Sequence, residues 1–190
     1  PSPDEVAHSL SRALARAAAP PDWIAFSGNG EPTLHPRFAV VVDRVLAVRA
    51  EVASQTRVGI LSNGLAAEQP AVRAALRRLD GRMMKLDPGP MEKVNGARYD
   101  VGRLVTSYRT LKPYTLQAMV VKALDWDGAS AESVAAWLPL VVRAAPDAVQ
   151  LYSLARPPAD PTLQNVPRER LEEMAVALRS ALPRCRVDVF

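Results

Sequence analysis

The sequence predicts an α/β fold built on a parallel sheet. Short apolar runs alternate strictly with segments of helical periodicity, the runs are apolar on both faces, and polar residues gather directly after them. Such alternation produces parallel strands joined by right-handed crossovers. Strands covered by helices read as continuous apolar runs. A barrel, complete or partial, and an open doubly wound sheet both satisfy this pattern, and both place chemistry beyond the carboxyl ends of the strands.

The elements follow in order. Ser2-Pro3-Asp4-Glu5 reads as a helix start, with Ser2 as N-cap, Pro3 at the first helical position and Glu5 closing a capping box. Val6, Leu10, Leu14 and Ala17 share one face, and Pro20-Pro21 ends the helix. A strand is expected over 22–27, then a helix presenting Phe38, Val41, Val42, Val45 and Leu46. Strand 57–62 precedes a helix carrying Val72, Ala75, Leu76 and Leu79, and strand 83–87 precedes one carrying Val101, Leu104, Val105, Tyr108 and Leu111. Strand 115–121 leads to Val134, Trp137, Leu138, Val141 and Val142 on one helical face. Strand 148–153, a helix with Leu171, Met174, Ala175, Leu178 and Leu182, and strand 186–190 complete the chain. No linker or low-complexity stretch divides it, so residues 1–190 are expected to form one domain.

Composition narrows the function. No run of about 18 apolar residues suits a membrane span, and no charged-then-apolar leader opens the sequence, so a cytoplasmic protein is expected. The net charge of +4 permits nucleic acid as a partner without supporting it. Four lysines stand against twenty arginines, which are scattered and not interleaved with aromatics. The single cysteine, Cys185, can make no internal disulfide and cannot by itself hold a zinc or iron–sulfur centre, so no metal ligands are expected within the chain.

The strand ends supply the candidates: Ser27-Gly28-Asn29-Gly30-Glu31-Pro32-Thr33, Ser62-Asn63-Gly64, Lys85-Leu86-Asp87, Lys122 with Asp125, and Tyr152 with Ser153 and Arg156. Each also has a plain reading. The glycines can serve turns that need positive φ, and the cations can be ordinary surface groups. Glu31 suits the plain reading least, because a carboxylate beside an apolar strand is costly without compensation. No lysine or arginine adjoins it in sequence, so a bound ammonium is an attractive partner.

These stretches resemble the radical S-adenosylmethionine (radical SAM) enzymes. "SGNGEPTLHP" is similar to that superfamily's Gly-Gly-Glu-Pro motif, with Asn29 between the glycines, and it is followed in order by "SNG", "KLD" and "MVVK". The resemblance covers essentially the whole chain and implies a partial (β/α)6 TIM-like barrel. It also implies that Gly28, Asn29, Gly30, Glu31 and Pro32 hold the methionyl amino group of S-adenosylmethionine. Ser62, Asn63, Lys85 and Asp87 match positions that contact cofactor or substrate, while Lys122, Tyr152 and Arg156 match strand ends facing substrate.

The family holds a 4Fe–4S cluster on three cysteines spaced CxxxCxxC after its first strand, and no cysteine precedes Cys185. The expectation is a radical SAM core whose first strand and cluster segment are missing, and which is inactive as it stands. Restored, it is expected to cleave S-adenosylmethionine reductively to a 5′-deoxyadenosyl radical that abstracts hydrogen from substrate. A flavodoxin or ferredoxin would supply the electron. Two other readings remain: a cluster-free homologue acting as a binding or scaffold protein, and an aldolase- or isomerase-type barrel using Lys85 or Lys122. The motifs do not select a substrate.

Overall fold

The computed structural model describes residues 1–28, 30–90, 99–158 and 160–190. Asn29, residues 91–98 and Ala159 lie outside the described residues. Among those described, six parallel strands alternate with six α-helices, the α/β architecture expected and consistent with a partial TIM-like barrel. By its internal contacts the chain divides into two compact units, Pro1–Arg82 and Met83–Phe190.

In the first unit, helix α1 (Pro3–Arg16) begins at the expected capping box. The Ser2 hydroxyl accepts from the Glu5 amide at 3.2 Å, and the Glu5 carboxylate accepts from the Ser2 amide at 2.6 Å. Strand β1 (Trp23–Phe26) pairs in parallel with β2 (Arg57–Ser62), with Ile24 opposite Val58 and Phe26 opposite Ile60. Helix α2 (Phe38–Val52) lies between them in sequence, and α3 (Pro70–Arg77) follows β2. Val42, Val45, Val58, Ile60 and Leu76 form the heart of this unit's core.

Two glycines are dictated by a close approach. The Trp23 ring lies across Gly59 and Gly81, so a Cβ on Gly81 would stand 2.8 Å from it. The Arg57 guanidinium covers the same ring at 4.2 Å. Arg82, although buried, donates to the carbonyls of Leu76, Arg77 and Leu79, around and just past the end of α3. Helix α1 is less well covered. Pro3 is its only buried residue, and Val6, Leu10 and Leu14 are half-buried.

The chain passes between units within β3 (Gly81–Lys85). The second unit continues with α4 (Val101–Arg109), β4 (Thr115–Met119), β5 (Val121–Lys122), α5 (Ala131–Ala144), β6 (Ala148–Tyr152), β7 (Gln164–Asn165), α6 (Arg168–Ala181) and β8 (Arg186–Val189). Strands β3, β4, β6 and β8 run parallel in that order, in a register that aligns Lys85, Gln117, Gln150 and Asp188 in one row. The continuous strand expected over 115–121 is interrupted. The Val120 amide donates to the Tyr152 carbonyl, and β5 turns away to pair antiparallel with β7.

Alternation along β3, β4 and β6 separates two faces, as the strand period requires. Met84, Leu116, Ala118, Val149 and Leu151 are fully buried, whereas Lys85, Gln117, Met119, Gln150 and Tyr152 are half-buried. Two aromatic side chains tie helices to the end of β3: the Tyr108 hydroxyl donates to the Lys85 carbonyl at 2.7 Å, and the Trp137 indole to the Leu86 carbonyl at 2.8 Å. Helix α5 buries Trp137, Val141 and Ala144. Val142, expected on the covered face, is exposed because that stripe follows the i, i+4, i+7 positions from Trp137.

Candidate functional site

At the end of β1 the chain turns through Gly28 and Gly30 into a short 3-10 turn, Pro32–Leu34, with Glu31 as its N-cap. Glu31 is half-buried and gathers donors from two strand ends. Its Oε1 accepts from the Thr33 amide (3.0 Å), the Thr33 hydroxyl (2.6 Å) and the Ser62 hydroxyl (2.7 Å). Its Oε2 accepts from the Asn63 amide at 2.7 Å. Compensation for the carboxylate thus comes first from four neutral donors of its own chain, which sequence adjacency could not reveal. Oε1 is saturated. A carboxylate oxygen offers about two acceptor directions, so Oε2 retains one.

The glycines of this turn behave differently from those elsewhere. Gly64 and Gly89 have positive φ, +74° and +97°, so the turn reading holds for Ser62-Asn63-Gly64 and Asp87-Pro88-Gly89. Gly28 and Gly30 do not have positive φ, so the same reading fails there. Nor does packing require them, since a Cβ at either position would meet no atom within 4 Å. What they provide is open space beside the backbone. Asn29, between them, lies outside the described residues.

This turn borders a cavity of about 580 Å³ within the first unit. Ile24 and Phe26 of β1, Val6 and Leu10 of α1, and Phe38 and Val45 of α2 supply its apolar walls, with Glu31 among the few polar groups. An apolar chamber with one oriented carboxylate suits a ligand that joins an apolar body to a cation.

In the second unit the structure brings Lys85 and Asp87 together, with Nζ 3.4 Å from Oδ2. Asp87 is buried; its Oδ1 accepts from the Met119 amide at 2.7 Å, while Oδ2 has no hydrogen bond and only the Lys85 charge beside it. Burial raises its carboxyl above the usual range, and Lys85 offsets only part of that rise. Burial, with the Asp87 charge adding, pushes the Tyr152 phenol up to about 12. Lys122 is exposed and 3.9 Å from Asp127, and Arg156 is exposed.

Sequence reasoning missed Thr33 as a partner of Glu31. It also missed Gln117 and Gln150, whose side chains are hydrogen-bonded at 2.9 Å. A glutamine at the centre of each of two otherwise apolar strands, TLQAM and AVQLY, is the signal that was available.

The residues present do not supply a site for a 4Fe–4S cluster. Cys185 immediately precedes β8, at the amino end of that strand, and no group of three or more candidate ligands occurs among the described residues. One thiol does not fit a centre that takes three. No helix among the described residues is long and apolar enough to cross a membrane.

No protein-family model matches the chain, and no curated protein does. Solved structures do. Streptococcus suis SuiB with S-adenosylmethionine bound superimposes with a TM-score of 0.67 at 12% identity, over 100% of this chain and 44% of SuiB. SuiB bound to its precursor peptide SuiA gives 0.63 at 14% identity, over 96% of this chain and 42% of SuiB. A domain of pyruvate-formate lyase-activating enzyme from Bacteroides vulgatus gives 0.61 at 15% identity, over 88% of this chain and 98% of the domain. The chain therefore spans less than half the length of SuiB. The chain shares its fold with these proteins.

Proposed function

We propose that this chain is a radical SAM enzyme core that binds S-adenosylmethionine beyond the carboxyl ends of its strands. The observation that carries this is the β1 turn, where Gly28 and Gly30 are required neither by φ nor by packing. They leave backbone open beside a carboxylate with one acceptor direction unspent. The methionyl ammonium donates to Glu31 Oε2, a charge-assisted bond of the stronger kind. The Thr33, Ser62 and Asn63 donors hold the carboxylate in place. Pro32 fixes the turn, and the apolar chamber excludes water. Lys85, Asp87, Lys122, Tyr152 and Arg156 are assigned to cofactor or substrate on the resemblance.

When bound beside a reduced 4Fe–4S cluster, S-adenosylmethionine supplies a 5′-deoxyadenosyl radical for hydrogen abstraction. The single Cys185 cannot supply the ligands for that cluster, which would have to come from outside this sequence, and a flavodoxin or ferredoxin would supply the electron. The precursor peptide on SuiB makes a peptide a reasonable substrate class here. Single-domain organisation and a cytoplasmic location complete the proposal.

Calorimetric titration with S-adenosylmethionine tests it. Glu31→Gln keeps an oxygen for Thr33 and Ser62 but places an NH2 at Oε2, and should weaken binding by about tenfold or more. Gly30→Ala should leave the melting temperature unchanged and also weaken binding. No binding by the unaltered chain, or equal binding by both variants, sinks the proposal. A lysine adduct with a carbonyl compound, trapped by borohydride, would favour the aldolase-type reading instead.

A further inference from the structure

We propose that the cavity between the turn after β3, the loop before α5 and the first turns of that helix binds a guanidinium group on a hydrocarbon stem, as carried by arginine. This goes beyond the cofactor reading and stands without it, because every lining residue belongs to the second unit.

The cavity has a volume of about 370 Å³, which suits a single side chain or a comparably small molecule. Trp126 and Trp137 give it aromatic walls. The Trp126 ring rests on Gly89 and Gly128, where an added Cβ would stand 3.0 Å and 3.4 Å from it. The Trp137 indole is held by the Leu86 carbonyl. Asp87, Asp127 and Glu132 bring carboxylates to the same cavity, and among the described residues no lysine, arginine or histidine lines it. Asp125 also lines it but already has an interaction, so it is given no role.

Asp87 supplies the observation that points to a ligand. Its side chain is fully buried, it lines the cavity, and its Oδ2 has no hydrogen bond. A buried carboxylate oxygen without a donor is costly, and a donor seated in the cavity removes that cost. The neighbouring cations do not. Lys85 stands 3.4 Å from Asp87 Oδ2 and Lys122 3.9 Å from Asp127 Oδ2, both too long for a good charge-assisted hydrogen bond. Arg170 is engaged by the Ala129 carbonyl and by Glu173. Glu132 has no partner among the described residues.

The arrangement selects among ions. Among the described residues no three acidic or other ligating groups converge to hold a metal ion, so the cation has to spread its donors. A guanidinium carries five N–H donors in one plane, and that plane stacks on an indole face, whereas an ammonium gathers its donors on one atom. An anion is disfavoured although α5 begins here. The Ser130 hydroxyl already accepts from the Ser133 amide, and Glu132 occupies the first turn.

The test titrates the 15N-labelled chain with Nα-acetylarginine N-methylamide and with its citrulline counterpart, which keeps nearly the same shape without the charge. The arginine probe should shift the Trp126 indole N–H signal and saturate in the millimolar range, with the citrulline probe about tenfold weaker. Equal binding of free L-arginine would support the assignment with the amino acid as source, and preference for the blocked form would support it with a peptide as source. Glu132→Gln, at an exposed position, should weaken the arginine probe by about threefold and leave S-adenosylmethionine affinity unchanged. Asp87→Asn should weaken it by about tenfold. If that variant fails to fold, Trp126→Leu should cost about fivefold. Equal binding of the citrulline probe, undiminished affinity in the folded variants, tighter binding of the lysine counterpart, or a larger response to inorganic phosphate would each overturn the assignment. Displacement of the probe by S-adenosylmethionine would also overturn it, and give the cavity to the cofactor.

Discussion

Two carboxylates stand at strand ends in this chain, and their surroundings are opposite. Glu31 is half-buried and accepts four hydrogen bonds from neutral groups of its own turn and of the β2 end. Asp87 is sealed from solvent, accepts one backbone bond and leaves its second oxygen to an imperfectly placed lysine. The first is settled before any ligand arrives and offers one direction to a newcomer. The second is held at a cost, and its proton affinity rises as a result. The difference shows that polar satisfaction and burial, rather than residue type, decide what a carboxylate can do.

The comparison is broken most directly at Asp87. Asp87→Ala removes the acceptor of the Met119 amide where no water can replace it. It should cost about 2–3 kcal/mol, read as a fall of roughly 5–10 °C in melting temperature. Glu31→Ala deletes more hydrogen bonds, and its Thr33 and Ser62 donors are buried, but the half-buried carboxylate borders the cavity beside β1, so water can take its place and a smaller loss of about 1–2 kcal/mol is expected. Equal losses would show that burial does not separate the two sites.

Titration sharpens the contrast. The Asp87 carboxyl is raised in the folded state above its ordinary value of 3.8, so the folded chain retains a proton that the unfolded chain has released. Its stabilising contribution is fully present below that value and is lost as pH rises through the folded pKa, by up to about 1.4 kcal/mol per pH unit. Asp87→Asn cannot titrate. Thermal melts from pH 4 upward should therefore show the variant gaining on the unaltered chain, and a constant gap would refute the raised carboxyl. The smallest effect belongs to Thr33→Val, which removes one of the donors to Glu31 Oε1 and leaves the rest. A loss of about 0.5–1 kcal/mol is expected in denaturant unfolding. A loss as large as that of Glu31→Ala would mean that Thr33 alone holds the carboxylate.

Much of this was legible in the sequence, and the elements show why. The Ser2–Glu5 capping box spans three residues and was recovered with its reciprocal bonds. The stripe Leu171, Met174, Ala175 and Leu178 was recovered as buried because 3.6-residue periodicity is a local property. Other features were not local. Ser62 and Asn63 reach Glu31 across about thirty residues of chain, and nothing adjacent to Glu31 announces them. The break after Met119 reflects Val121 and Lys122 pairing with Asn165 and Gln164, far along the chain, within a run that reads as one strand.

By itself the sequence determined the alternation of strands and helices, the parallel sense of the sheet and the gathering of polar residues at strand ends. Each follows from backbone periodicity and crossover handedness, which act over short stretches of chain. Tertiary structure alone decided that Glu31 is satisfied while Asp87 is stranded, that Gly28 and Gly30 border open space while Gly59 and Gly81 lie under Trp23, and that Gln117 meets Gln150. Those outcomes depend on which strand ends become neighbours and how deeply they are covered, and desolvation is set by that assembled environment.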